Sequence, residues 1–270
     1  MAEQWSGLVL NDYEAIFPLA WKKKWGIRYG YQPAFIQQLG LFGKQEYLNE
    51  LILKEMMIVA MNEVRFAEIT LNHVNMDLAA TSLKMNARTN YLLKLNGDDE
   101  SMRKSLQQDV QEKLRRAAKW ELQYEVLANP SEIIHAYKSL YQSKQGLSNR
   151  DYLNFEALMQ TYQQTDRLVM RCVRANGSGN WLAAVLMVQD GRRLYNLASC
   201  LRPEGRKKLA NYVLFDQLIQ EFAHTGWILD FEGSDIPGIA YFYEQFASEK
   251  ETYPFVRWNR LPGLLRWVKG

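Results

Sequence analysis

Two carboxylates stand close together where an apolar run of the chain ends. Asp230 and Glu232 belong to the sequence LDFEGS at positions 229–234. In mixed α/β sheets the carboxyl end of a strand opens onto a ligand crevice, and burial there raises the pKa of a carboxyl group toward the range that suits a general base. The run therefore predicts Glu232 as a catalytic base and Asp230 as a substrate-binding residue. Capping of the next helix, or pairing with an arginine, is the alternative.

A glycine among clustered cations forms a second candidate site. The sequence LRPEGRKK occupies positions 201–208, between a predicted strand and a predicted helix. Unpaired N–H groups and the helix dipole attract anions at a helix N-terminus, and a glycine there lets a diphosphate approach the backbone. We therefore predict a phosphate-binding site, with a solvated basic loop as the alternative. Its residues are Arg202, Gly205, Arg206, Lys207 and Lys208.

The usual signatures of metal and nucleophile chemistry are missing from the sequence. His73, His135 and His224 are isolated, and neither a Walker loop nor a nucleophile elbow occurs. Cys172 and Cys200 lack ligand spacing and are typical of buried thiols in a reducing compartment, which predicts a cytoplasmic protein. We therefore expect chemistry without a metal ion.

Composition places the chain among ordinary globular proteins. It has 270 residues, 47% of them hydrophobic and 23% charged, which excludes disordered, collagenous and low-complexity classes. The formal charge of +3 comes from interspersed charges of both signs, which argues against nucleic acid as a partner. The longest apolar run, residues 182–188, is far below the ~18 residues of a membrane span, and the start of the chain does not resemble a signal peptide. We expect no membrane span, and the oligomeric state stays open.

The first half of the chain alternates short β-like runs with helical patterns. It predicts an antiparallel meander and then a helix with an apolar stripe at three- and four-residue steps. The predicted strands are Leu8–Leu10, Tyr13–Trp21, Ile27–Tyr31, Gln38–Phe42, Arg65–Leu71 and Thr89–Leu95, and the predicted helix is Lys44–Met61. A long polar helix follows at residues 98–120, acidic at its start and basic at its end, as the helix dipole favours.

The second half alternates helices and strands, which predicts a mixed α/β (α+β) layer architecture. Asn129 and Pro130 break the chain, and Ser131 is the predicted cap of the next helix. We place the domain boundary here, between residues 1–128 and 129–270. The predicted helices are Glu132–Gln145, Arg150–Tyr162, Lys207–Phe222 and Ile236–Ala247. The predicted strands are Gln123–Leu127, Leu168–Arg174, Trp181–Gln189, Arg193–Leu201, Trp227–Phe231 and Tyr253–Trp258.

The second half resembles the GNAT superfamily of acyltransferases. In that family the acyl-CoA loop runs Arg/Gln-x-x-Gly-x-Gly/Ala between the fourth strand and the third helix. Arg202, Gly205 and the following cations fit this loop, whereas Lys207 stands where its last small residue is expected. The resemblance implies that the loop holds acetyl-CoA or another acyl-CoA.

Nearly the whole chain is similar to the Fem-type peptidoglycan aminoacyltransferases, a bacterial family. The matching stretches are YQP at positions 31–33, KLRRAAK at 113–119 and DFEG at 230–233, followed by Gly238, Ile239 and Phe242. The resemblance implies two tandem GNAT-like domains with mixed central sheets: a degenerate first domain that includes the connecting helix 98–120, and a second domain with the donor site. The acceptor would lie between them, bound by Tyr31, Gln37 and Gln38.

One departure from the Fem-type pattern favours a thioester donor. Phe242-Tyr243 stands where the Fem-type helix usually has Phe-Lys, and the sequence FYE at 242–244 looks like that of acyl-CoA transferases, in which the tyrosine protonates the leaving thiolate. We therefore expect N-acyl transfer from acyl-CoA to a primary amine of a small molecule or a peptide. Glu232 would take the ammonium proton, and Tyr243 would be the acid.

Two other functions stay open at this point. A Fem-like aminoacyltransferase would use charged tRNA, the one nucleic-acid partner we consider, and a cell-wall precursor. A non-catalytic binding protein would keep the scaffold without the donor site, and Lys207 at the tight loop position favours this alternative.

Overall fold

The computed structural model describes residues 1–79, 85–177, 179–233 and 235–263. Within these residues the chain forms two compact units. Unit 1 joins Met1–Thr89 to the segment from Glu251 onward, and unit 2 comprises Asn90–Lys250. Unit 2 is therefore inserted, in sequence, between two parts of unit 1. The predicted division into residues 1–128 and 129–270 concerns a duplicated fold and stays a prediction, because compactness does not report duplication.

Strands and helices alternate along the described chain. The strands are β1 (Trp5–Leu10), β2 (Ala15–Lys24), β3 (Ile27–Tyr31), β4 (Phe42–Gly43), β5 (Phe66–Thr70), β6 (Met85–Leu95), β7 (Gln123–Val126), β8 (Leu168–Arg174), β9 (Trp181–Asp190), β10 (Arg193–Leu201), β11 (Trp227–Asp230) and β12 (Glu249–Asn259). The α-helices are α1 (Glu50–Glu63), α2 (Asn75–Ala79), α3 (Asp99–Ser105), α4 (Gln108–Ala117), α5 (Pro130–Gln145), α6 (Asn149–Gln164), α7 (Pro203–Lys207), α8 (Ala210–Glu221) and α9 (Pro237–Glu244).

Unit 1 is built on a mixed sheet with strand order β1-β2-β3-β5-β12. The first three strands form the predicted antiparallel meander, β3 and β5 are parallel, and β5 and β12 are antiparallel. Helix α1 buries Leu53, Met56, Met57 and Ala60, whose three- and four-residue spacing places them on one face. The side chain of Asn49 caps this helix by accepting a hydrogen bond from the Ile52 amide.

Unit 2 is built on a second run of strands, β6-β11-β10-β9-β8-β7. β10 and β11 are parallel, and the other neighbouring pairs are antiparallel. Every residue from Trp181 to Val188 in β9 is buried, because α8 packs on this strand and so does α5. A strand covered in this way has a continuous apolar sequence instead of an alternating one. The mixed α/β fold class predicted from the sequence is confirmed.

Three predicted elements differ from the structure. The predicted helix 98–120 is divided, because Leu106 and Gln107 adopt extended backbone between α3 and α4, and residues Ala118–Trp120 form a 3-10 turn. The predicted helix Lys207–Phe222 is also divided, because Leu209 takes left-handed backbone with φ +59° before α8. The predicted strand Gln38–Phe42 is reduced to an isolated bridge at Leu39 and to β4.

One helix cap was predicted at the wrong residue. The side chain of Asn129, not that of Ser131, caps α5, and it accepts a hydrogen bond from the Ser131 amide at 2.9 Å. Pro130 then occupies the first turn, where its missing N–H costs nothing. Separately, no helix within the described residues has the length and apolar character needed to cross a membrane.

Candidate active site

The two central parallel strands of unit 2 separate at their carboxyl ends. Arg193–Tyr195 of β10 pair with Ile228–Asp230 of β11, where β11 ends. β10 continues to Leu201, and a bulge between Asn196 and Ala198 changes its register with β9. Beyond Tyr195, the edge of β10 that faces away from β9 is therefore not covered by β11. Such an edge offers backbone N–H and C=O groups to a ligand.

Asp230 lies at the end of β11 and is almost completely buried, with 1% of its surface exposed. Its carboxylate accepts hydrogen bonds from Asn90 Nδ2 at 3.0 Å, from Arg193 Nη1 at 2.9 Å and from the Glu232 amide at 2.9 Å. Burial raises the pKa of the Asp230 carboxyl, and these donors oppose the shift. The arginine partner considered from the sequence is thus present, and the same carboxylate holds the backbone of the residue two positions on.

Glu232 occupies an unfavourable backbone conformation directly after this carboxylate. Its φ is +59° and that of Gly233 is +62°, a left-handed pair that glycine tolerates and glutamate disfavours. The side chain is half-buried. Removal from bulk water raises the pKa of the Glu232 carboxyl well above its ordinary value, and the negative charge of Asp230 adds to the shift. A strained carboxylate with a raised pKa is typical of a functional site.

Tyr243 of α9 packs against the residue that precedes Glu232. It is buried and stacks on Phe231, with ring centroids 4.5 Å apart and planes inclined by 28°. Burial is the main cause that raises the pKa of the Tyr243 hydroxyl, and the charges of Tyr137, Glu232 and Tyr141 add to it. Tyr243 thus packs on the residue that precedes Glu232 in the chain and lies within electrostatic reach of it.

Sequence reasoning missed the two tyrosines of α5. Tyr137 and Tyr141 are one helical turn apart, so they share a face, and their rings meet edge to face at 5.0 Å. The Tyr141 hydroxyl accepts a hydrogen bond from the Leu201 amide at 3.2 Å, so it occupies part of the free edge of β10. The sequence shows that these tyrosines share a helix face, but it does not show that this face packs on β10.

The predicted phosphate-binding residues lie on and around α7, directly after β10. Gly205 is buried, and a Cβ at this position would collide with the Leu182 carbonyl group of β9. The glycine is therefore required for packing of α7 on the sheet, whatever ligand approaches. Arg202 stacks over the Trp181 ring at 4.3 Å, and its Nε is buried without a hydrogen-bond partner among the described residues.

The other three cations of this segment face solvent to different degrees. Lys208 pairs with Glu204 at 2.8 Å and lies over the Trp120 ring at 5.2 Å. Arg206 and Lys207 are exposed. Burial raises the pKa of the Tyr141 hydroxyl, and the charge of Arg206 opposes this shift, which places Arg206 within electrostatic reach of the tyrosine. The basic segment thus adjoins the opening of the sheet.

The predicted acceptor-binding residues belong to unit 1. Tyr31 and Gln37 line a cleft of about 480 Å³. Aromatic rings and one arginine also line it: Tyr29, Arg88, Tyr253 and Phe255. The Gln37 Nε2 group is buried and has no acceptor among the described residues. Gln38 is used within the protein, since its side chain accepts from the His73 amide at 2.9 Å and donates to Gln37 at 3.0 Å.

A larger cleft in unit 2 lies away from these residues. Its volume is about 620 Å³, and it is lined by parts of α3 and α4 together with Asp216 of α8. Burial raises the pKa of Asp216, which Arg103 approaches at 3.4 Å. None of the residues predicted for a site lines this cleft, so size alone does not identify the chemistry. In the described parts of the chain no group of three or more His, Cys, Asp or Glu residues is placed to hold a metal ion.

Unit 2 thus combines a mixed sheet, whose parallel strands part beyond a bulge, with a helix that follows the longer of the two strands. The chain shares the fold of FemX and of L-PGS, as the resemblance to the Fem-type proteins predicts. No family model matches the chain, and no curated protein matches it in sequence.

Individual solved structures share this fold over nearly the whole chain. FemX superposes with a TM-score of 0.65 at 12% sequence identity, over 98% of this chain and 91% of its own. L-PGS from Bacillus licheniformis gives 0.57 at 11% identity, over 98% and 87%. A conserved protein of unknown function from Bacteroides thetaiotaomicron gives 0.57 at 11% identity, over 93% and 84%.

Proposed function

We propose that the protein is an N-acyltransferase that moves an acyl group from an acyl-CoA thioester to a primary amine. The observation that carries the proposal is that Tyr243 stacks on Phe231, the residue before Glu232, and lies within electrostatic reach of Glu232 at the point where β10 and β11 separate. The proposal assigns Glu232 as the base and Tyr243 as the acid beside this open strand edge. The acyltransferase fold supports the same reaction class.

The first step of the proposed reaction is deprotonation of the acceptor amine. An amine is protonated at neutral pH and must lose its proton before it attacks a carbonyl carbon. Glu232, whose raised pKa makes its carboxylate more basic than an exposed one, takes this proton directly or through water. The amine nitrogen then bonds to the acyl carbon, the carbon–sulfur bond breaks, and the leaving thiolate accepts a proton from the Tyr243 hydroxyl. The nitrogen loses its extra proton, which returns through water to the Tyr243 phenolate, so that the amide and the free thiol are the products.

Tyr243 stays protonated until that step, because burial raises its pKa. Burial would also raise the pKa of the leaving thiol bound beside Tyr243. The raised pKa of the Tyr243 hydroxyl therefore does not by itself disfavour transfer of its proton to the thiolate. Positioning supplies much of the rate, since well-oriented reactants can remove about 7–11 kcal/mol from the barrier.

Asp230 acts as a positioning residue in this proposal. Its carboxylate accepts from the Glu232 amide and so supports the left-handed backbone that aims Glu232. Its three donors leave it little capacity for a substrate, although substrate binding was the role predicted from the sequence. Arg202, Gly205, Arg206, Lys207 and Lys208 are proposed to hold the phosphates of the donor. Tyr31, Gln37 and Gln38 are proposed to hold the acceptor.

Thermal unfolding of the purified chain with CoA, acetyl-CoA and longer acyl-CoAs tests the donor. A ligand present at 100 times its dissociation constant adds ~2.7 kcal/mol of stability, which raises the melting temperature by several degrees. We expect such a rise with at least one thioester. If no CoA compound changes the melting temperature, the thioester donor is excluded, and a non-catalytic protein or another donor takes its place.

Tyr243→Phe tests the role of the acid. We expect a lower kcat while the CoA-induced rise in melting temperature is retained, because only a hydroxyl is lost. Tyr91→Phe is the matched control, since Tyr91 packs on Tyr243 at 6.0 Å but directs its hydroxyl to Glu244 at 3.3 Å. Equal losses of kcat in both variants would assign Tyr243 a packing role.

The basic surface around Trp120 favours aminoacyl-tRNA as a second candidate donor. Lys119 and Lys208 lie over the exposed ring of Trp120, at 5.0 and 5.2 Å, and the basic end of α4 adjoins them. Aminoacyl-tRNA, as considered for the Fem-like alternative, would suit a basic surface with an aromatic ring. Its binding would weaken steeply with rising salt concentration, whereas binding to a compact CoA site would change much less.

A further inference from the structure

The hairpin that joins β2 to β3, residues 21–28, concentrates positive charge and aromatic surface at one end of unit 1. Its sequence is WKKKWGIR. We call it the basic hairpin. Lys22, Lys23, Lys24 and Arg28 are exposed. The indole of Trp25 at its tip is 74% exposed. A second indole, that of Trp5, is 65% exposed, and Trp5 pairs with Ala20, the residue of β2 that precedes the basic hairpin.

The tip of the basic hairpin holds a bulky residue where the backbone disfavours one. Lys24 and Ile27 are the last pair of the ladder, so Trp25 and Gly26 form a two-residue loop, and both have positive φ, +50° and +81°. Such loops favour Asn or Asp followed by glycine, because a larger side chain is strained in left-handed backbone. Local strain of this kind is a pointer to function.

The charges of the basic hairpin are also unfavourable within the protein itself. Lys23 lies directly opposite Arg28 in the ladder, and like charges in this position destabilise a hairpin. Arg28 gains partial compensation from Glu63 at 3.1 Å and from the Trp21 ring at 4.5 Å. Lys24 lies over the Trp25 ring at 4.7 Å, and Lys22 lies over the Tyr31 ring at 4.6 Å. An external anionic surface would relieve the repulsion between the opposed cations.

We propose that the basic hairpin docks the protein onto the surface of a membrane that contains anionic phospholipids. The indole of Trp25 would enter the interface between headgroups and acyl chains, where tryptophan is favoured. With a rise of about 3.3 Å per residue, Lys24, Lys23 and Arg28 follow within roughly 7 Å of the tip, which matches the depth of a headgroup layer. Phosphate groups there complement the opposed cations. The proposal is independent of the acyl-transfer reaction.

Sedimentation of the full chain with lipid vesicles tests this docking. We expect binding to vesicles of phosphatidylcholine with phosphatidylglycerol, and much weaker binding to phosphatidylcholine alone. Each lysine near an anionic surface contributes about a fivefold change in partitioning, so Lys23→Gln should reduce binding about fivefold. Lys54→Gln is the matched control, because Lys54 is an exposed lysine of α1 in the same unit. It should change binding less than twofold.

Trp25→Asn separates docking from folding. Asparagine suits left-handed backbone, so we expect an unchanged or higher melting temperature together with a severalfold loss of vesicle binding. Failure of the wild-type chain to bind anionic vesicles would overturn the proposal, as would equal losses in Lys23→Gln and Lys54→Gln. Hairpin-dependent binding to RNA without binding to vesicles would also overturn it and would assign the basic hairpin to a nucleic acid.

Discussion

The loops that follow the strands of unit 1 and unit 2 are held by different kinds of polar group. In unit 1 the groups are neutral amides: Asn75 accepts from the Leu41 amide at 2.8 Å, and Gln32 accepts from the Thr70 amide at 3.0 Å. In unit 2 the equivalent task after β11 is performed by the buried carboxylate of Asp230, with Glu232 beside it. Amides hold a loop by hydrogen bonds that do not depend on pH. A buried carboxylate holds it by hydrogen bonds that depend on whether the carboxyl group is protonated.

Buried amides are suited to binding a ligand, whereas buried carboxylates are suited to proton transfer. A buried amide needs only hydrogen-bond partners, and its contribution is the same over a wide pH range. A buried carboxylate costs desolvation, which raises its pKa and makes it a useful base. This contrast agrees with the proposal that unit 2 supplies the acid–base steps and that unit 1 recognises the acceptor by shape and hydrogen bonds.

The largest effect is expected from Glu232→Gln. The substitution keeps the size of the side chain and removes the base, so kcat/KM for amine acylation should fall by about 10²–10⁴-fold. Steady-state kinetics with a saturating thioester would measure the loss. A decrease of less than threefold would show that unit 2 does not supply the base, and the contrast between the units would then have no catalytic meaning.

In unit 1, Asn75→Ala should destabilise the fold by about 1–3 kcal/mol, because it leaves the buried N–H of Leu41 without its partner. Asn75 is itself fully buried. Urea denaturation at two pH values would measure the free energy of unfolding. We expect the same loss at both, since no charge is removed. A loss confined to one pH would contradict the description of this network as neutral.

In unit 2, Glu232→Gln should also change how stability depends on pH. The folded pKa of Glu232 lies above its unfolded value, so the folded state binds the proton more tightly. Stability from this group is fully present below the unfolded pKa and is lost as the pH rises through the folded pKa. The glutamine variant should therefore melt at a higher temperature than the wild type at about pH 8 and with little difference near pH 4. Equal melting temperatures throughout would mean that the carboxyl is not desolvated.

The smallest effect is expected at an exposed ion pair. Lys104 pairs with Glu100 on α3 at 2.6 Å, and both side chains are more than two-thirds exposed. Lys104→Ala should change the free energy of unfolding by less than about 0.5 kcal/mol, because solvent screens such pairs. Chemical denaturation against the wild type would measure it. This variant sets the background against which charge removal at Glu232 is judged.

The sequence predicts best those elements that local pattern defines. The limits of β8 and β10 were predicted to the residue, because apolar runs end at turn residues on both sides. The helix breaks at Leu106 and Leu209 were missed, because leucine gives no local signal for a break. At the first break, Leu106 is buried in the core of unit 2 and the Gln107 amide donates to the Gln245 carbonyl, contacts that the sequence does not reveal.

In the candidate site, too, local sequence patterns could be predicted and contacts between distant elements could not. The position of Glu232 just after β11 could be predicted, because the end of a strand and a neighbouring carboxylate are visible in a short sequence run. The contribution of Tyr141 could not, since it depends on contact between α5 and the end of β10, sixty residues apart in sequence. The close packing of Gly205 on Leu182 could not be predicted, because Leu182 is distant in sequence, and phosphate binding by Gly205 stays a prediction.

The two free cysteines of unit 2 have a practical consequence. Cys172 and Cys200 are buried in neighbouring parts of the sheet, and burial raises their pKa values to about 11 and about 12. Because thiolates and not thiols react with alkylating reagents, both side chains are inert in the folded protein. Their labelling rate therefore reports opening of the β8–β10 region, and it can be followed in dilute reagent without denaturant.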